Sequence, residues 1–215
     1  MPQSFGPSAL MRLIKSRRSV RTFRSDAVPE GHLRLILEAA RCAPTAGNEQ
    51  SWRFLVVREK SNIERLRAGL VAWNKKRFDE LCPESERREE RLKEITAQLD
   101  KTLSTPVLVF VFVDTSKHPD LVGYDGALAV ENMMLMARAL GYGTCFMTSL
   151  FPERVVREVF HIPEGLRFIC AVPVGKPTDW PSPPKKRQLG DLMLREGMWA
   201  GPCPEDQLDR TLQVR

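Results

Sequence analysis

Pro106-Val107-Leu108-Val109-Phe110-Val111-Phe112-Val113-Asp114 is the stretch on which the fold turns. Seven apolar residues bounded by a proline and an aspartate are too few for a buried helix, and they are rich in β-branched and aromatic side chains. They read as a central strand. Downstream, from Gly123 to Leu140, the residues Ala127, Val130, Met133, Met134, Ala137 and Leu140 recur with a helical period, and Gly141 is suited to the position just past the helix end. Two further strands, Thr144 to Ser149 and Phe168 to Val174, flank a short helix, Pro152 to Phe160, that starts at a proline. Upstream lies 71–103, a highly charged helical insertion carrying Trp73, Phe78, Leu81, Leu92, Ile95 and Leu99, preceded by a helix over 61–70 and a strand over Phe54 to Val57.

The N-terminal third continues the pattern. Pro7-Ser8 followed by Leu10, Leu13, Ile14 and Arg17 reads as an N-capped first helix. Pro29, at the first position of a second helix, precedes Leu33, Ile36, Leu37 and Ala40 on one face, and Pro44 forbids continuation. Helices alternate with strands, no repeat of fixed period is visible, and 215 residues suffice for one large domain with a full core. The pattern gives a layered helix-sheet-helix domain and leaves strand order open. After Gly175-Lys176-Pro177 the chain turns proline-rich, with Pro181, Pro183 and Pro184, then basic at Lys185, Lys186 and Arg187. Such a tail, 180–215, must pack on something else or be mobile.

Composition narrows the function classes. Apolar residues at 42% and charged residues at 28% are ordinary for a globular protein. Arg12, Lys15, Arg17 and Arg18 interrupt any leader-like apolar run, and no stretch approaches a membrane span, so a cytoplasmic, membrane-free protein is expected. Five scattered cysteines without a Cys-x-x-Cys pair, and three distant histidines, support neither a disulfide framework nor a metal site. The net charge of +6 permits several anionic partners. Its distribution says more: Lys15 to Arg24 holds five basic residues and no acid, whereas 84–94 mixes both signs as a solvated helix face does.

No Gly-x-Gly-x-x-Gly, phosphate-loop, Gly-x-Ser-x-Gly or His-Glu-x-x-His motif is present, and no pair of carboxylates is singled out by spacing. An enzyme built this way leaves the reaction to a bound cofactor. Arg17, Arg18, Ser19 and Arg21 put three planar forks and a hydroxyl where a helix exits, a set matched to a phosphate; the bland alternative is a solvated basic turn. Ala43 to Trp52 is a small-residue loop closing on an aromatic, suited to a flat ligand, or else a helix stop and turn whose Asn48 and Gln50 bond their own backbone. A nucleic-acid-binding module is the non-enzymatic alternative, disfavoured because aromatics do not alternate with the basic residues.

Four blocks in register carry a resemblance: Arg17-Arg18-Ser19-Val20-Arg21-Thr22-Phe23, Ala43 to Phe54, Asp125-Gly126-Ala127-Leu128-Ala129-Val130-Glu131-Asn132, and Gly141-Tyr142-Gly143-Thr144. Over roughly residues 8–190 the chain resembles the nitroreductase family of flavin-dependent oxidoreductases. The resemblance implies an α+β fold, a three-layer α/β/α sandwich with a mostly antiparallel central sheet, in a homodimer whose C-terminal arms embrace the partner and whose two FMN sites are shared. The arm would bring Leu189, Leu192, Met193, Leu194, Met198 and Trp199 to the partner's surface. It implies electron transfer from NADH or NADPH to a small planar acceptor, a nitroaromatic or quinone, by a ping-pong cycle; a related alternative is dehydrogenation or dehalogenation of a specialised substrate.

Carried over residue by residue, Arg17, Arg18 and Ser19 match positions that hold the FMN phosphate and ribityl chain, with Lys185 and Arg187 returning to that phosphate. Arg21 matches the cation beside flavin N1 and the C2 carbonyl, where charge accumulates when hydride reaches N5. Pro44, Thr45, Ala46 and Asn48 match the loop that reaches the other subunit's flavin, and Thr148 and Ser149 match backbone N–H donors facing N5 and O4. Asp125 falls where the family often has a polar residue near the site, or is simply an acid at a helix N-terminus. Ser51 stands where the family usually has proline before the tryptophan, and Asn74 is the candidate for the asparagine at the pyrimidine edge. The 71–103 insertion is where members differ and where substrate is chosen.

Overall fold

The apolar run becomes β2, Val107–Asp114, buried at every position but the last. Successive side chains of a strand point to opposite faces. Val107, Val109 and Val111 therefore enter one core and Leu108, Phe110 and Phe112 another. The alternation is between two apolar sizes rather than between apolar and polar, and it feeds two helical layers at once. The computed structural model in which this is seen describes residues 6–81 and 87–193.

Beside β2 run β1 (Trp52–Val57) and β4 (Leu166–Gly175), both antiparallel, and β3 (Gly143–Thr144) pairs antiparallel with β4 at the far side, giving the order β1-β2-β4-β3. On the valine face lie α2 (Glu30–Arg41) and α5 (Val122–Ala139), with Leu33, Ile36, Val130 and Met133 in the core; α1 (Pro7–Ser16) packs on α5. On the phenylalanine face lie α3 (Lys60–Leu81), α4 (Arg88–Leu103) and α6 (Glu153–Phe160), which supply Leu66, Leu70, Leu99, Val155 and Val156. The fold is thus the expected α+β three-layer sandwich with an antiparallel sheet. Each fully buried Leu, Ile or Phe contributes roughly 1.5–3 kcal/mol of transfer free energy, so truncating β2 weakens both layers.

A bulge refines the sheet. Register slips between Val111 and Phe112, which pair with Cys170 and Phe168, leaving Ile169 as the extra residue. Ile169 packs on the valine-face core, where α5 presents Gly126. A Cβ on Gly126 would lie 2.7 Å from Ile169 Cγ1 and 3.0 Å from Val113 Cγ1. This glycine lets α5 approach the sheet at its N-terminal end.

Several expectations move. The first helix begins at Pro7, with Gly6 as its cap residue and no side-chain cap, so Ser8 lies inside the first turn. Proline fixes φ and lacks the N–H that a first turn leaves unsatisfied, which suits Pro7 to the start. Pro29 and Pro152 are cap residues, one position before the helices they introduce. The helix expected over 61–70 runs unbroken through 71 to Leu81, because Leu66 and Leu70 anchor it and nothing in 71–81 stops it. The strand expected over Thr144 to Ser149 is only Gly143–Thr144 plus an isolated pairing of Met147 with Ala171. Of the mixed-sign segment 84–94, residues 84–86 lie outside the described residues; Arg88 pairs with Asp79 and Arg91 with Glu94.

The chain divides into two compact units, one ending at Pro181 and one beginning at Ser182. In the second, Leu189–Leu192 form a 3-10 turn whose Leu189 and Leu192, with Met193 after it, are exposed. Leu194, Met198 and Trp199 of the expected arm lie outside the described residues. No helix among the described residues is long and apolar enough to cross a membrane.

Candidate functional site

The basic cluster begins where α1 ends. Arg18 donates through Nη1 to the carbonyls of Lys15 at 2.8 Å and Arg17 at 2.7 Å, and through Nε to that of Pro181 at 3.2 Å. A cation closing on the last carbonyls of a helix satisfies otherwise orphaned acceptors. Arg138, near the end of α5, donates to Ser16 Oγ at 3.0 Å and lays its guanidinium on the Trp180 ring at 3.8 Å. The helix exit is thereby fixed to α5.

From there the chain is stitched to β3. Ser19 bridges to Thr144, and the Val20 N–H donates to the Thr144 carbonyl at 2.9 Å. Val20 is fully buried against Gly143, where a Cβ would lie within 2.9 Å of three Val20 side-chain atoms. The Gly141-Tyr142-Gly143-Thr144 block now has a physical reading. Gly141 takes φ +83° past the end of α5, Tyr142 hydrogen-bonds His32 Nδ1 at 2.8 Å, Gly143 admits Val20, and Thr144 pairs with Ser19.

Three guanidiniums lie close together here without equal freedom. Arg18 is occupied by backbone carbonyls. Arg17 has Glu131 of α5 at 3.7 Å, and Arg21 makes one long hydrogen bond, 3.5 Å to the Ser19 carbonyl, with no carboxylate partner among the described residues. Beneath them lies Cys145. Burial pushes its thiol up, while Arg21, the Ser19 hydroxyl and Arg17 pull it the other way. The half-buried Arg17 and exposed Ser19 and Arg21 are open to an anion.

The second expected segment is a tightly organised loop. Ala46–Asn48 form a 3-10 turn, and Gly47, Asn48 and Gln50 take φ of 58°, 57° and 51°. For a residue with a Cβ this region costs about 1–2 kcal/mol, so two of these positions are held against local preference. The Gln50 N–H donates to Thr45 Oγ1 at 3.1 Å, and Lys117 bonds Glu49 at 2.7 Å. Asp125, buried in the first turn of α5, accepts from the Ala46 N–H at 3.2 Å and from Ser51 Oγ at 3.4 Å. It is therefore tied to this loop, which its sequence position alone left open.

Within one copy the loop and the cluster attach to different stretches of α5, the loop at Asp125 and the cluster at Glu131 and Arg138. At 1.5 Å rise per residue, Asp125 and Glu131 are about 9 Å apart along the axis. Thr148 and Ser149 are exposed, in a turn just past the Met147 pairing with Ala171. Lys185 and Arg187 are exposed residues of the second unit. Asn74 is buried in α3 with its amide donating to the Leu70 carbonyl at 2.8 Å, a bond within its own helix.

A groove of about 550 Å³ separates α3 from α4, with Val71, Phe78 and Leu92 among its walls. It shares no residue with the basic cluster or the 44–51 loop. The groove mixes apolar walls with both signs of charge, Lys75, Asp79, Lys93 and Asp100 among them, whereas the cluster presents guanidiniums and a hydroxyl with little opposing charge. Glu131, Gly143, Cys145 and Arg138 are residues that the sequence left without a role, and Asp125 it left between a polar residue near the site and a helix-terminal acid. Asp125, Glu131 and Gly143 lay inside the blocks of the resemblance, and only contacts across the fold separate them from ordinary helix and turn residues.

An NADH dehydrogenase of Thermus thermophilus is 29% identical over 83% of this chain and 91% of its own length. An iodotyrosine deiodinase of Thermotoga neapolitana is 30% identical over 86% of this chain and 96% of its own. A crystal structure of an oxidised iodotyrosine deiodinase bound to FMN and 3-iodo-L-tyrosine superposes with a TM-score of 0.70 at 27% identity, covering 88% of this chain and all of that one. Residues 14–176, from the last turn of α1 to just past β4, match the Nitroreductase family, and the chain belongs to that family.

Proposed function

We propose that this protein binds FMN between two copies of itself and passes electrons from NADH or NADPH to a small planar acceptor, a nitroaromatic or a quinone, in a ping-pong cycle. The observation that carries the reading is the state of the basic cluster: Arg21 lacks a carboxylate partner among the described residues, Arg17 has only a distant one, and the Ser19–Thr144 pairing fixes both against β3. Arg21 is thereby left available to an anion. The small-residue loop at the other end of α5 is equally preformed, and its separation from the cluster within one copy fits a site completed by a second copy.

The residues fit a flavin phosphate and ring. Arg17 and Ser19 offer a fork and a hydroxyl to the phosphate and ribityl chain, and Arg18 holds the helix end from which Arg17 projects. Arg21 supplies a fixed cation for the pyrimidine edge. Backbone N–H groups at Thr148 and Ser149 are donors for N5 and O4, and Pro44, Thr45, Ala46 and Asn48 wall the ring from the second copy. FMN, when bound, supplies the hydride chemistry. The protein's part is grip and charge, and solvent reaches the exposed Thr148 and Ser149 to supply protons.

Purified protein is expected to be yellow, to release FMN on denaturation, and to be bleached by NADH or NADPH without oxygen. Colourless protein that fails to take up added FMN refutes the reading. Arg21→Ala is expected to weaken FMN binding by tenfold or more, since a hydrogen bond to a charged group is worth about 1.5–3 kcal/mol. The similarity to an iodotyrosine deiodinase favours a second reading, reductive dehalogenation at the same site. Steady-state turnover with menadione against a halogenated tyrosine separates the two.

A further inference from the structure

Asp125 and Ser51 are both buried, at 4% and 6% exposure, and both lie at the edge of the proposed flavin loop. The carboxylate divides its oxygens between the loop's two ends: Oδ1 takes the Ala46 N–H and Oδ2 takes the Ser51 hydroxyl. Between those ends sit the three residues with positive φ. The base of the clamp is firm, because Gly126, the next residue along α5, is packed against Ile169 and Val113.

We infer that Asp125 and Ser51 are a positioning pair that holds the 44–50 loop in its ring-facing form through the hydroxyl-to-carboxylate bond. The inference rests on the proposed flavin site for its functional half and on the loop geometry alone for its structural half. It distinguishes two roles for Asp125. As a helix-terminal acid it would act through its charge, and asparagine would replace it poorly. As a clamp it acts through two hydrogen bonds, both of which asparagine can make, its oxygen accepting from Ala46 and its amide donating to Ser51 Oγ.

The experiment uses the full chain and the variants Asp125→Ala, Asp125→Asn, Ser51→Ala and the Asp125→Ala/Ser51→Ala double. Hydrogen exchange of peptides covering 44–51 is read without flavin, and the FMN dissociation constant by titration. Asp125→Ala and Ser51→Ala are each expected to speed exchange in the loop and to weaken FMN binding by roughly five- to tenfold. The double variant should be no worse than Asp125→Ala, because the two residues act as one unit, and Asp125→Asn should restore most of both. Unchanged exchange in Ser51→Ala, additive effects in the double, or Asp125→Asn behaving like alanine overturns the pair. Should Asp125→Ala fail to fold, Ser51→Ala, which deletes one hydroxyl, decides by its exchange alone. Faster exchange with unaltered FMN affinity overturns the functional half. A wild type that binds no FMN refutes the flavin reading, and the exchange results still decide the clamp.

Discussion

At the scale of single residues, three buried groups set how the protein meets alkali. Burial raises the thiols of Cys145 and Cys170 and the phenol of Tyr142 above their ordinary values. Each holds its proton more firmly folded than unfolded. Their effect on stability is therefore absent below the ordinary thiol pKa, about 8.5, and grows as pH rises through it and through the ordinary phenol pKa, about 10. The urea midpoint is expected to be flat between pH 6 and 8 and to fall above roughly pH 9, and Cys170→Ala should shed part of that fall; a midpoint rising over the range contradicts the account. The same burial predicts that native-state alkylation, mapped by mass spectrometry, marks exposed Cys42 and spares Cys145 and Cys170 until the chain unfolds. Residue-scale legibility in the sequence was uneven for a physical reason. Arg17 and Arg21 stood out because no acid lies near them in the chain, whereas Asp125 and Glu131 act on partners far back in the chain and looked like any helix carboxylate.

Among the elements, β3 and the segment before it work as one unit. Gly143→Ala would drive a methyl into Val20, a buried β-branched side chain with little freedom to turn. The expected cost is about 1–3 kcal/mol of stability, seen as a lower melting temperature, together with weaker FMN binding because Ser19 and Arg21 move with Val20. Full stability in the Gly143→Ala variant would show that the contact relaxes. Elements defined by their own pattern were readable: β2 by its apolar run and α5 by its period and closing glycine. Those defined by a partner were not. Gly143–Thr144 is two residues long because it exists through pairing with β4 and Ser19, and α3 continues past 71 because its anchors at Leu66 and Leu70 hold a helix whose later residues alone give no reason to start one. The amphipathic α1 was legible as a helix, yet it has no buried residue: Leu10, Met11 and Ile14 are each at least 43% exposed.

For the molecule as a whole, that unburied stripe and the exposed Tyr124 and Leu128 on α5 leave apolar surface on the same face of the sheet as α2. The proposed second copy would cover it. Ile14→Glu is expected to yield a monomer by sedimentation that keeps its far-ultraviolet circular dichroism and loses FMN, since the site needs both copies; an intact dimer, or a monomer with full affinity, contradicts the shared site. The layered architecture followed from one strand and the alternation of elements, whereas the antiparallel order, with β1 beside β2, rests on contacts no local pattern encodes. That neighbourhood carries a consequence of its own. Val57 and Leu108 face each other across the sheet, so everything from 58 to 107 departs and returns at one place. Closure entropy rises only with the logarithm of length, about 0.6 kcal/mol per doubling. Leu66, Leu70, Leu99 and Leu103 root this detour, while Val71, Trp73 and Ile95 beyond them are only partly covered. Between Leu70 and Leu99 the described apolar residues touch the core only through partly covered side chains such as Val71, Trp73 and Ile95, so sequence change there costs the framework least.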